Sequence, residues 1–96
     1  MRKYEIMFIV RADIEENLIK ETAKSFEKLL TDMKSKILES KDMGQKKLAY
    51  EIKKVSNGHY YLLNVLAPME AINEFDRKAL LDENVLRHLI IKLDEE

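Results

Sequence analysis

Two hydrophobic rhythms alternate along the chain. From Arg2 to Val10 the even positions Tyr4, Ile6, Phe8 and Val10 are apolar, while Lys3, Glu5, Met7 and Ile9 are mixed. A period of two in aromatic and β-branched residues predicts a strand. Beyond Asp13 the apolar residues Ile14, Leu18, Ile19, Ala23, Phe26, Leu29, Leu30 and Met33 recur every three or four positions. That spacing predicts an amphipathic helix over 14–33, and Asp13 with Glu16 three residues later has the form of a capping box. Alternation returns from Ile37 to Lys54, where Leu48, Tyr50 and Ile52 stand against charged neighbours, and predicts a long strand, irregular near Gly44. Asn57-Gly58 offers hairpin-turn chemistry ahead of His59–Ala67 (HYYLLNVLA), a strand apolar at nearly every position. Pro68 suits the first turn of a helix, with Ile72, Phe75, Ala79 and Leu80 on one face. Val85–Leu93 is the last strand, and acidic Asp94-Glu95-Glu96 ends the chain.

The order β-α-β-β-α-β, with right-handed crossovers, predicts an α+β ferredoxin-like domain over residues 1–96. It has a four-stranded antiparallel sheet with two helices on one face. Two helices cover one face only, and the other should be polar in a protein that works alone. If Ile6, Phe8, Leu63 and Val65 point to the helices, strand alternation sends Met7, Ile9, Tyr60, Leu62 and Asn64 to the open face. On the last strand one parity holds Arg87, Leu89, Ile91 and Leu93, and the other His88, Ile90 and Lys92. Either choice leaves a large aliphatic residue outside, and Leu89 and Ile91 complete the expected docking surface. Such an apolar cluster marks a partner site.

Charge changes the picture only when it is divided by segment. Seventeen Lys and Arg against eighteen Asp and Glu leave a net charge of −1, which excludes a simple polycation. Yet residues 1–12, 41–58 and 85–93 together carry +7, while the helical segments and tail carry −8. Lys46, Lys47, Lys53, Lys54, Arg2, Lys3, Arg87 and Lys92 are therefore candidates for neutralising phosphates. Tyr4, Tyr50, Tyr60 and Tyr61 are candidates for stacking.

Other chemistries find no support. Without cysteine there are no disulfides, thiolate catalysis or Cys-ligated metals. His59 and His88 lie on different strands without metal-ligand spacing, and no Gly-rich loop cradles a nucleotide phosphate. We expect no catalytic residues, no metal, no cofactor and no small-molecule substrate. The apolar run Ile6–Val10 is too short for a signal peptide or a membrane span, so neither a membrane nor secretion is expected.

Several short stretches, in order over nearly the whole chain, carry a family resemblance. Met1-Arg2-Lys3-Tyr4-Glu5, Gly44 followed by Lys46-Lys47-Leu48-Ala49-Tyr50-Glu51-Ile52, Gly58-His59-Tyr60-Tyr61, and Asn84-Val85-Leu86-Arg87-His88 resemble bacterial small-subunit ribosomal protein S6. The resemblance implies a non-catalytic, cytoplasmic constituent of the small ribosomal subunit. It would bind 16S ribosomal RNA in the central domain, together with ribosomal protein S18. The family's basic contact positions would correspond to Arg2, Lys46, Lys47, Arg87 and Lys92, and its aromatic ones to Tyr4 and Tyr50. Met43 replaces a common tryptophan, Ala12 a common proline, and Gln45-Lys46-Lys47 an arginine-richer run. Lysine keeps the charge there but loses the planar bidentate fork. Two rival readings use the same fold. One is a homo-oligomeric regulatory or ligand-sensing domain that pairs open sheet faces. The other is an acylphosphatase-like hydrolase, disfavoured because Arg11-Ala12-Asp13 stands where a Gly-rich anion loop would be.

Overall fold

A computed structural model describes residues 1–93, and the acidic triplet Asp94-Glu95-Glu96 lies outside the described residues. The elements are β1 (Arg2–Arg11), α1 (Glu16–Asp32), β2 (Lys36–Ile52), β3 (Val55–Ala67), α2 (Met69–Leu81) and β4 (Val85–Lys92). The strands lie in the order β2-β3-β1-β4, and every neighbouring pair is antiparallel. This is the ferredoxin-like arrangement that the alternating rhythms imply. No helix is long and apolar enough to cross a membrane.

The core forms where the helices' apolar stripes meet one face of the sheet. Ile19, Ala23, Phe26 and Leu30 of α1 and Ala71, Ile72, Phe75 and Ala79 of α2 pack with Ile6, Phe8, Val10, Leu63 and Val65. Phe8, Phe26 and Phe75 form a triad with ring centres 4.9 to 5.9 Å apart, in the tilted or edge-on geometries that aromatic pairs favour. Tyr61 stacks on Phe8 at 5.3 Å. Its buried phenol is pushed up to about 12 by burial, with Asp42, Glu16 and Glu27 adding repulsion. The register also assigns β4. Ile6 faces Ile90 and Phe8 faces His88, so Arg87, Leu89 and Ile91 point away from the helices.

Three local expectations are overturned. Asp13 does not cap α1, whose N-cap is Glu15 with no side-chain hydrogen bond. The Arg11 guanidinium donates to both Asp13 carboxylate oxygens, at 2.7 and 3.0 Å, a charge-assisted fork that outcompetes a single backbone N–H. It also holds the Asp13 carboxyl below its ordinary value. Leu80, assigned to the apolar face of α2, is 69% exposed, and Leu18 of α1 is also exposed. At about 100° per residue, each sits roughly 100–125° from the centre of its helix's buried stripe.

The hairpin is the third correction. Asn57-Gly58 lies inside β3, paired with Lys47 and Lys46, and the turn is Lys53-Lys54, closed by Ile52 opposite Val55. Both lysines have positive φ, 53° and 64°, the signs a two-residue type I′ turn needs. Gly58 serves packing instead, because a Cβ there would overlap the Cγ2 of Ile9. The irregularity expected near Gly44 is a bulge between Asp42 and Gly44. Gly44 takes φ +83° there, and its N–H donates to Asp42 Oδ1 at 2.9 Å.

Candidate nucleic-acid and partner interface

The open face is built from odd-numbered β1 residues and their cross-strand neighbours. Its middle row runs Leu62, Met7, Leu89, and the next runs Asn64, Glu5, Ile91. Leu89 is 51% and Ile91 43% exposed, with no helix above them. Two shallow depressions flank Met7 and Leu89. One, of about 300 Å³, is lined by Met7, Ile9, Arg87, His88 and Leu89. The other, of about 140 Å³, is lined by Glu5, Met7, Leu62, Leu89 and Ile91. Asn64 is the polar margin of this surface and donates from Nδ2 to Glu39 Oε1 at 3.1 Å.

Ile9 and Tyr60 do not stand free as strand alternation implies. Ile9 is only 6% exposed, in a second small core with Leu48, Val55 and Leu86, against which Ile52 and Tyr60 pack. This core forms because the end of the β2–β3 hairpin lies against the open face. A bulge helps it. Ile9 faces Arg87 and Val10 faces Val85, so Leu86 is the extra residue between them and joins the open-face cluster while Val85 joins the main core. Lys53 Nζ donates to the Val85 carbonyl at 3.1 Å and ties the hairpin tip to β4. Ile9 therefore supplies only the floor of a depression.

The residues expected to meet RNA separate into two groups. Lys46, Tyr50 and Arg87 come together at the hairpin end. Lys46 Nζ lies 5.5 Å from the Tyr60 ring centre, and the Arg87 guanidinium lies 5.9 Å from that of Tyr50, both within cation–π range. Tyr50 is 59% exposed, so its ring remains available. Lys47 is exposed beside Lys46, on the opposite side of the strand by alternation. Arg2, Tyr4 and Lys92 lie at the other end of the sheet, where Tyr4 pairs with Lys92. Arg2 and Arg11 are the two ends of β1, ~30 Å apart at the usual strand rise. Tyr4 is removed from the candidate contacts. Its ring is 4% exposed in the main core, and its hydroxyl has no hydrogen-bond partner among the described residues.

Both histidines sit on the helix-facing side with carboxylate partners. His59 Nε2 lies 2.6 Å from Asp42 Oδ1, and His88 Nε2 lies 2.7 Å from Asp76 Oδ1. Burial pushes the Asp42 carboxyl up, but hydrogen bonds from His59 and the Gly44 N–H outweigh it and hold it below its ordinary value. Among the described residues no cluster of three or more His, Asp or Glu is placed to hold a metal. Sequence reasoning counted Lys53 and Lys54 among the phosphate-neutralising candidates but did not place them at the hairpin turn. The signal that could have placed them there is the apolar pair Ile52 and Val55 bracketing a two-residue gap.

Comparison with known proteins agrees with the fold. The family model described as ribosomal protein S6 matches residues 3–92. The crystal structure of 30S ribosomal protein S6 from Thermotoga maritima superposes with a TM-score of 0.89 at 26% identity. The match covers 95% of this chain and 86% of that one. The chain belongs to the ribosomal protein S6 family and is a structural protein of the small ribosomal subunit, and so of the cytoplasm.

Proposed function

We propose that this protein binds 16S ribosomal RNA in the central domain of the small subunit, cooperatively with ribosomal protein S18. The observation that carries this reading is the adjacency of two unlike surfaces on one sheet face. Lys46, Arg87 and the Tyr50 ring form a cationic, aromatic end, and it borders the uncovered apolar stripe of Leu62, Met7, Leu89 and Ile91. The cations neutralise phosphates, and the tyrosine ring offers a stacking face for an unpaired base. The stripe receives the partner protein, with aliphatic side chains filling the two depressions. Lys47 adds a cation on the other side of β2, at the sheet edge, while Arg2 and Lys92 serve a separate backbone contact at the other end of the sheet. Helix segments 13–40 and 68–84 are net negative, so RNA approaches from the sheet end rather than across the helices.

The near-zero net charge implies weak RNA binding by the chain alone and much tighter binding with the partner. Filter binding to a central-domain 16S fragment at moderate salt, with and without S18, tests this. Equal affinity in both would end the cooperative reading. Replacing Lys46 and Lys47 together by alanine should weaken binding and flatten the log–log salt slope by about two, one for each phosphate that is no longer neutralised. The exposed Leu89 and Ile91 also suit pairing of two copies of this chain. Sedimentation of the free protein separates the two readings, since a stable homo-oligomer is required only by the second.

A further inference from the structure

The hairpin tip is built from the wrong residues for a turn. A two-residue type I′ loop favours Asn-Gly because both central positions need positive φ, yet this chain places Lys53 and Lys54 there at φ 53° and 64°. A suitable pair, Asn57-Gly58, stands three residues beyond and is used within β3 instead. The two lysines have different surroundings. Lys53 turns inward, and its ammonium is engaged by the Val85 carbonyl at 3.1 Å. Lys54 lines a polar cleft of about 260 Å³ with Ala12, Asp13, Gln45, Val55, Ser56 and Asn57. Asp13 is the acidic member of that lining, and its carboxylate is already held by Arg11 at 2.7 Å. Gln45, Ser56 and Asn57 add side-chain donors beside the lysine.

We propose that Lys54 and this cleft form a further RNA-backbone contact, in which the Lys54 ammonium meets a phosphate and Ser56 and Asn57 donate to its oxygens. Lys53 is the positioning residue that holds the tip against β4. The inference rests on the RNA-binding reading above and extends its surface past Lys46 around the end of the hairpin. Unfavourable backbone conformations that persist in a fold are found at functional sites, and here the residue carrying one is a cation beside a donor-lined cleft.

The test is Lys54→Gly, with Lys54→Arg alongside, measured for both stability and binding to a central-domain 16S fragment in the presence of S18. Glycine relaxes the positive φ, so the melting temperature should rise by about 4–8 °C. RNA affinity should nevertheless fall roughly fivefold, with the salt slope flattened by about one. Lys54→Arg should keep wild-type affinity and slope. A Lys54→Gly protein that is stabilised yet binds with unchanged affinity and slope would overturn the inference, leaving Lys54 as turn filler. If the double Lys46, Lys47 alanine variant also left the slope unchanged, the RNA reading itself would fall. If only that double variant flattened it, the phosphate role of Lys54 would fall while the RNA reading stood.

Discussion

The two faces of this sheet are made from the same strands and differ in what covers them. On the helix side, Phe8 is 1% exposed and Ile6 and Val65 are fully buried. On the other side, Leu89 and Ile91 of β4 remain half-exposed. Both faces are apolar in the middle, so composition alone does not set them apart. Burial does. The helix face is satisfied within the chain, and the open face has only a small second core, around Leu48 and Leu86, at one end. The lesson is that a monomer's leftover apolar surface can be located by asking which face the fold has no element to cover.

That comparison is easiest to break by mutating matched residues on the two sides. Phe8→Ala removes the centre of the aromatic triad and should cost about 3–5 kcal/mol, a large part of the ~5–15 kcal/mol typical of a domain. Urea denaturation reads it directly. Leu89→Ser, on the opposite face, should change stability by less than about 1 kcal/mol. It should weaken S18 binding about tenfold or more, measurable by calorimetry. A Leu89→Ser variant that unfolded readily would mean that this face is core rather than interface.

The smallest effect belongs to Asp42, on the helix side. Its carboxyl lies below the ordinary carboxylate value in the fold. Its contribution is therefore fully present above about pH 4, the unfolded value, and is lost as pH falls through the folded value. Because the side chain is half-exposed, that contribution is less than about 1 kcal/mol. Asp42→Asn should lower stability by that small amount above about pH 4, with the difference from wild type vanishing as pH falls through this window; a difference that persisted unchanged in acid would assign the effect elsewhere.

Periodicity made the fold legible, because each strand and helix buries a stripe that is visible in sequence. The parity of Ile6, Phe8, Leu63 and Val65 was also readable, and with it Met7 and Leu62 as open-face residues. Long-range packing was not. Nothing local distinguishes Asn57-Gly58 as a turn from Gly58 as a close-packing position, since the reason is a methyl of Ile9 on another strand. Leu86 could not be assigned a face because a bulge resets the alternation. Tyr4 matches an aromatic contact position by resemblance, yet even-position parity already placed it with the core. The separation of Arg2 and Lys92 from Lys46 and Arg87 follows from register, which depends on pairings between distant segments.

The claim that the open face receives the partner is tested most directly by mapping backbone amide chemical-shift changes when labelled protein is titrated with S18. The account predicts the largest changes at Met7, Leu62, Leu89 and Ile91, with little change along α1 and α2. Changes concentrated on the outward surfaces of the helices, with the open face silent, would contradict it.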